Sequence, residues 1–289
     1  STGASGPASV LNDVLTSVAL PSRGDALAAG GVGISDLGEV AAIDGPGADN
    51  IARAFVVAHH YSASYPAARE RIGLYRSGAL VGVAVFSHPA QDKVLGCLPC
   101  PKTEAVELGR LVLLDDVPAN GESWFIARAF AELRQRGYAG VVSFADPVPR
   151  SAVGGAVVFP GHLGIIYRAS NAVYTGLATA RTLRLLPDGR VFSERTRSKI
   201  RARERGWRHA VDQLVEHGAA PPERTGDAAD LAAWLPGALK QVTRTLKHTG
   251  NLRYLFGLTP GMKRLVAEST SYPPQPYPRV QISAASLRP

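Results

Sequence analysis

Three apolar runs of strand length do most to narrow what this chain can fold into: Ala79-Leu-Val-Gly-Val-Ala-Val-Phe86, Ala105-Val-Glu-Leu-Gly-Arg-Leu-Val-Leu-Leu114 and Tyr138-Ala-Gly-Val-Val-Ser-Phe144. Each falls well short of the roughly 20 residues a membrane-spanning helix needs. Ile72–Arg76 precedes the first run across Ser77-Gly78, a hairpin signal. Between the second and third runs, Glu122–Arg136 places Trp124, Phe125, Ala129, Phe130 and Leu133 at helical spacing and stops at Gly137. Strands alternating with helices in this way predict an α/β or α+β core around a mixed sheet.

The flanks extend the pattern. Ile51–His59 reads as a helix capped near Asp49 or Asn50, delivering His59, His60 and Tyr61 at its end. Leu163–Arg168 suits a short helix and Ser170–Tyr174 a turn into a strand. Arg181–Leu186, Pro187-Asp-Gly-Arg190 and Val191–Ser193 read as a second hairpin. Ser1 to Asp49 is rich in Ala, Gly and Ser, with helical spacing only over Val10–Leu20, and is expected to be a loosely attached leader. The expected division is a leader over 1–49, a catalytic core over 50–193, and a basic helical C-terminal extension over 194–289 with a proline-rich end, Tyr272–Pro278. Ser1 to Ser9 lacks a basic-then-apolar signal, so a cytoplasmic protein with no membrane partner is expected.

Charge position says more than the net +8. Residues 1–180 hold 13 basic and 15 acidic side chains, whereas residues 181–289 hold 19 and 9. Such concentration makes a local positive potential that attracts polyanions. Its peak is Arg195-Thr-Arg-Ser-Lys-Ile-Arg-Ala-Arg-Glu-Arg-Gly-Trp-Arg208, with seven basic residues in fourteen. Arg195, Arg197, Lys199, Arg201, Arg203, Arg205 and Arg208, with Trp207 among them, are therefore expected to contact a phosphate backbone.

Three other clusters could carry chemistry. His59-His60-Tyr61-Ser62 gathers two imidazoles, a phenol and a hydroxyl at one helix end, suited to proton transfer or metal ligation. Asp146 follows a buried strand and precedes Pro147, where an acid can orient a substrate amine or simply start a turn. Cys97-Leu-Pro-Cys100 has the spacing of a redox dithiol or half a zinc knuckle, which His88 and the 59–60 pair could complete; two buried or loop thiols in a reducing compartment is the plainer account.

Taken in order, Ala58-His-His-Tyr-Ser62, Glu107–Asp116, Glu122-Ser-Trp-Phe125, Val141–Pro147, Gly161–Tyr174, Arg181–Arg190 and Ser198–Trp207 resemble the Mom family of bacteriophage DNA-modification proteins. The resemblance runs over about residues 50 to 218. It implies an enzyme that adds a methylcarbamoyl (acetamido-type) group to the exocyclic amine of adenine in double-stranded DNA, protecting phage DNA from host restriction in the bacterial cytoplasm. It also implies a GNAT-like fold, a mixed and mostly antiparallel sheet flanked by helices.

By the same resemblance the functional positions are His60, Tyr61, Arg110, Ser123, Asp146 and Tyr167. Asp146 would hold or deprotonate the amine, Tyr61 and Tyr167 would meet the extruded base or protonate a leaving group, and Arg110 and Ser123 would grip the donor. Val117-Pro-Ala-Asn-Gly-Glu122 has one glycine and an acid where a GNAT enzyme cradles pyrophosphate, so the donor stays open between an acyl-CoA and another small metabolite. Iron or zinc is a further candidate cofactor, with His59, His60, Cys97 and Cys100 as candidate ligands. The rival readings are a GNAT acetyltransferase acting on a protein or small amine and a non-catalytic DNA-binding module.

Overall fold

A computed structural model describes residues 38–60, 64–89, 91–118, 120–269 and 271–279. In chain order its elements are β1 (Glu39–Ala42), α1 (Ala48–His59), β2 (Ala68–Arg76), β3 (Ala79–Ser87), β4 (Ala105–Leu113), α2 (Gly121–Gln135), β5 (Gly140–Ala145), β6 (Arg150–Ser151), β7 (Val157–Phe159), α3 (Ile165–Ala169), β8 (Val173–Leu177), β9 (Arg181–Leu185), α4 (Glu194–Arg201), α5 (Trp207–Glu216), α6 (Ala228–Val242), β10 (Arg244–His248), β11 (Leu252–Gly257) and α7 (Pro260–Ala267). Among the described residues no helix is long and apolar enough to cross a membrane.

Seven strands form one sheet in the order β1-β2-β3-β4-β5-β11-β8. All neighbours in it are antiparallel except β4 and β5, which run parallel. The sheet is therefore mixed and mostly antiparallel, with helices on both faces, as expected. Ser77 and Gly78 make the β2–β3 turn with φ of 50° and 80°, the doubly positive conformation that matches strand twist in a two-residue hairpin.

Each face of the sheet buries its own cluster. On one, Phe125, Ala129 and Leu133 of α2 pack on Phe86, Val106, Leu108 and Val141, with Tyr254 and Phe256 of β11. Phe125 and Leu133 are wholly buried, worth about 1.5–3 kcal/mol each relative to exposure. Helix α2 ends where Gly137 takes φ 86° and Tyr138 N–H returns to the Leu133 carbonyl, a Schellman-type stop. On the other face, Ala52 and Val56 of α1 cover Val83, Val85 and Val112, while Val266 of α7 joins Val142, Leu255 and Leu95. Helix α1 is capped at Gly47, two or three residues before the expected Asp49 or Asn50; Asp49 lies in its first turn and pairs with Arg53 and Arg71.

Three expectations are corrected. The sheet crosses the boundary at residue 193, because β11 lies between β5 and β8 in its interior. The expected 194–289 extension is thus partly core, and residues 178–251 form an insertion between two neighbouring strands. That insertion has its own apolar centre of Phe192, Ile200, Trp207, Leu214, Leu231 and Leu235. Second, β9 makes its ladder with β10, some sixty residues later; the expected hairpin is kept only as the 187–190 turn, the Leu185–Val191 bridge and the Phe192 N–H donated to the Arg184 carbonyl at 2.8 Å. Third, the end of the expected leader belongs to the fold, since β1 pairs with β2; the 10–20 segment lies outside the described residues. The proline-rich stretch runs beside β8, where Gln275 N–H donates to the Tyr174 carbonyl at 2.8 Å and Tyr277 Oη donates to Ala172. It covers part of an edge that would otherwise offer open pairing groups.

Candidate active site

The site begins with one extra residue in β4. Val85 pairs with Arg110 and Phe86 with Leu108, so Gly109 is unmatched and the strand bulges there. Val106 and Leu108 point to the α2 face; past the bulge, Val112 joins the α1 cluster. Arg110, two residues from Val112, thereby turns toward the end of α1. An added Cβ at Gly109 would lie 2.8 Å from Ser87 Oγ, so the bulge has no room for a side chain. Arg110 Nε donates to the Ser64 carbonyl at 3.0 Å and its Nη2 to Ser64 Oγ at 2.6 Å. The guanidinium thus anchors the chain just beyond the His59–Ser62 motif.

The parallel β4–β5 ladder stops at Leu108 and Ser143, where Ser143 Oγ donates to the Leu108 carbonyl at 3.1 Å. Both strands continue past that point, carrying Arg110 and then Asp146 to the same end. The carboxyl ends of parallel strands are where open sheets usually place their reactive groups.

Asp146 is held on every side. Its Oδ2 accepts from Arg150 Nη1 at 2.6 Å, and its Oδ1 accepts from Val148 N–H at 3.0 Å and from His248 Nε2 at 2.9 Å. Burial favours the neutral acid, but the Arg150, Val148 and His248 hydrogen bonds outweigh it and keep the carboxyl below its usual range. Arg150 also lies 4.1 Å from the centre of the Phe159 ring. Both carboxylate oxygens of Asp146 are thus occupied by the groups around them.

Two imidazoles stand between Arg110 and Asp146. Burial, then the charge of Arg110 and then His162, lower His60 to about 4. Packing around the ring also lowers His162 from its usual value, against the pull of Asp146 and with the push of Arg150, although the residue as a whole remains exposed to solvent. Both rings are therefore neutral at pH 7, able to receive a proton. The Asp146 carbonyl accepts from His162 N–H at 2.8 Å, tying the second imidazole to the Asp146 corner. His162, Arg150 and His248 are absent from the expected functional positions. His162 lies inside the 161–174 block and Arg150 three residues past the 141–147 block, whereas His248 reaches the site from 102 positions away, which no local pattern could announce.

The other expected residues divide. Tyr61 lies outside the described residues. Ser123 sits in the first turn of α2, its hydroxyl donating to the Asn120 carbonyl at 3.1 Å. Tyr167 is 8% exposed and packs on Tyr254 and Phe256 at 5.2 and 6.1 Å between ring centres, so its ring is largely core. The four candidate metal ligands do not come together. His60 belongs to the carboxyl-end site, His59 lies against Phe55, and Cys100 lies near Gly140 at the opposite end of β5. Burial pushes both thiols up to about 11. Among the described residues, no three His, Cys, Asp or Glu form a group that could hold a metal ion. The four candidate residues therefore do not fit a metal ion.

In the basic segment, the expected phosphate contacts are partly taken. Glu194 pairs with Arg197 and Arg201, Glu204 pairs with Arg195 at 2.6 Å, and Arg203 donates to the Gly226 carbonyl at 2.7 Å. Lys199 is half-buried, while Arg205 and Arg208 are exposed. Trp207 is a core residue of the insertion, 8% exposed, with Arg208 4.9 Å from its ring centre. It packs rather than offering an open face to a base.

The Mom protein family model matches residues 41–279, which takes in all of the sheet but the first two residues of β1, together with the insertion and the carboxyl-end site. This chain is a member of the Mom family. Comparison with curated proteins finds no match. Among solved structures, this Mom protein is similar to a tandem GNAT protein from the clavulanic acid biosynthesis pathway, at 11% identity and TM-score 0.39, covering 77% of this chain and 99% of that one. It is also similar to an N-acetyltransferase from Staphylococcus aureus Mu50, at 10% identity and TM-score 0.28, covering 66% and 68%. For this Mom protein the fold class rests on the strand order itself, not on those likenesses.

Proposed function

We propose that this Mom protein is a transferase that modifies adenine in DNA, adding a methylcarbamoyl (acetamido-type) group to the exocyclic amine and so protecting phage DNA from restriction. One observation carries the reading: two imidazoles, His60 and His162, flanked by Arg110 on one side and the Asp146–Arg150 pair on the other, at the carboxyl ends of the parallel strands.

An aromatic amine is a poor nucleophile until its proton can leave. As the nitrogen–carbon bond forms, the nitrogen becomes strongly acidic, and even an imidazole as weak as His60 can take that proton. The bond from the transferred carbon to its leaving group breaks, and the leaving group departs with the electron pair. His60 is the proton acceptor in this reading, and His162 is a second acceptor beside it. Arg110 keeps the 60–64 segment against β4. The amino end of α2 has no side-chain cap, so its backbone N–H groups can meet an anionic donor, with Glu122 in the same turn disfavouring a full pyrophosphate. Of the two donor classes, an acyl-CoA and another small metabolite, Glu122 favours the second. Adenine must leave the stack to be reached, at a cost of a few kcal/mol, which phosphate contacts by Arg205 and Arg208 would offset.

The test is mass spectrometry of nucleosides from DNA co-expressed with the chain. An adenosine species of added mass is expected with the native chain and not with His60→Asn. Unmodified nucleosides with folded protein would refute the reading, and acetyl transfer to a protein or small amine without DNA would replace it.

A further inference from the structure

The connection from β5 to α3 carries Asp146, Arg150 and His162, and the insertion grips it along its length. Val153 N–H donates to the Pro187 carbonyl at 2.8 Å, Arg244 Nη2 donates to the Ser151 carbonyl, and His248 Nε2 meets Asp146 Oδ1 at 2.9 Å. The root of the insertion is itself locked. Ala178 N–H donates to the Asn251 carbonyl at 2.7 Å, and Gly250 takes φ 107°, where an added Cβ would lie 2.1 Å from the Ala178 carbonyl oxygen.

His248 ends β10 with its side chain wholly buried. Its Nδ1 accepts from Gly250 N–H at 3.0 Å, which leaves Nε2 to carry the ring hydrogen and donate it to Asp146. A buried ring with both nitrogens committed has one orientation. Through the Asp146 carbonyl, that orientation extends to His162.

We infer that His248 is a positioning residue through which the inserted basic unit holds the Asp146 corner, and with it His162, in place for the reaction. The consequence is that the insertion does more than attract polyanions; its seating on the sheet sets the geometry of the site. The activity arm of this inference rests on the function proposed above. The structural arm does not.

The test compares the full native chain with His248→Gln, His248→Asn and His248→Leu. A glutamine amide nitrogen reaches the place of Nε2, an asparagine amide nitrogen only that of Nδ1, and leucine supplies neither. Hydrogen exchange is read at the His162 amide, alongside nucleoside mass spectrometry, DNA affinity and thermal unfolding. His248→Asn and His248→Leu are expected to speed His162 exchange and to cut adenine modification by about tenfold or more, with DNA affinity kept, and His248→Gln is expected to restore both. Equal loss in all three variants, following their unfolding temperatures, would make His248 a packing residue only and overturn the inference. Native-like exchange in all three would overturn it as well. If the native chain leaves adenine unmodified, the proposed function fails, and the His162 exchange pattern decides the tether alone, in the same two directions.

Discussion

Asp146→Asn separates an acid that performs chemistry from one that holds other groups. Asp146 and Arg150 have side chains 17% and 10% exposed, so the substitution leaves a nearly buried guanidinium without its counter-charge. Breaking such a pair from one side costs about 3–5 kcal/mol. The asparagine oxygen can still accept from Val148 and His248, and the Phe159 face still lies under Arg150, so the lower end, about 3 kcal/mol, is expected. For a chain of this size that lowers the unfolding temperature by about 6–12 °C. Two controls sharpen the test, both followed by circular dichroism. Adding Arg150→Met removes the stranded charge and is expected to return most of the loss. The folded carboxyl titrates below its unfolded value, so its stabilisation is present above about pH 4 and lost as pH falls further. The gap between native chain and variant should then narrow toward pH 3. A loss under about 1 kcal/mol, or a double variant no better than the single one, would refute the clamp.

Three further outcomes are expected. Because His60 titrates near 4 when folded and near 6.5 when unfolded, the unfolded chain binds the extra proton between those values and the fold weakens as pH drops through them. His60→Asn should flatten that decline in urea unfolding, and parallel pH curves would contradict the burial of the ring. Trp207→Ala should cost about 3–5 kcal/mol and loosen the insertion, measured by proteolysis across residues 178–251; a stable variant defective only in DNA binding would restore Trp207 as a stacking residue. Arg205→Gln with Arg208→Gln should reduce the salt dependence of DNA binding by about 0.9 in log–log slope for each phosphate no longer neutralised, checked by fluorescence anisotropy over a salt series. An unchanged slope would place the DNA elsewhere.

Short-range features were legible because neighbouring residues impose them. The Ser77-Gly78 turn needs two positive φ angles, and the helix over 121–135 announces itself by its apolar spacing and its glycine stop. The blocks around His60, Arg110 and Asp146 likewise meet at one end of the sheet. Less was legible in the basic stretch. Charge density revealed an unusual helix, but not that Glu194 and Glu204 would occupy three of its arginines or that Trp207 would be buried.

By itself, then, the sequence determined the mixed sheet, its local turns and the family, since each follows from periodicity or from residues close along the chain. Tertiary structure alone decided that Leu252–Gly257 enters the sheet beside β5, and that His248 reaches Asp146 across 102 positions. It also decided that burial beside Arg110 keeps His60 neutral. Strand pairing, counter-charge and desolvation depend on what is near in space, and no local pattern of residues encodes that.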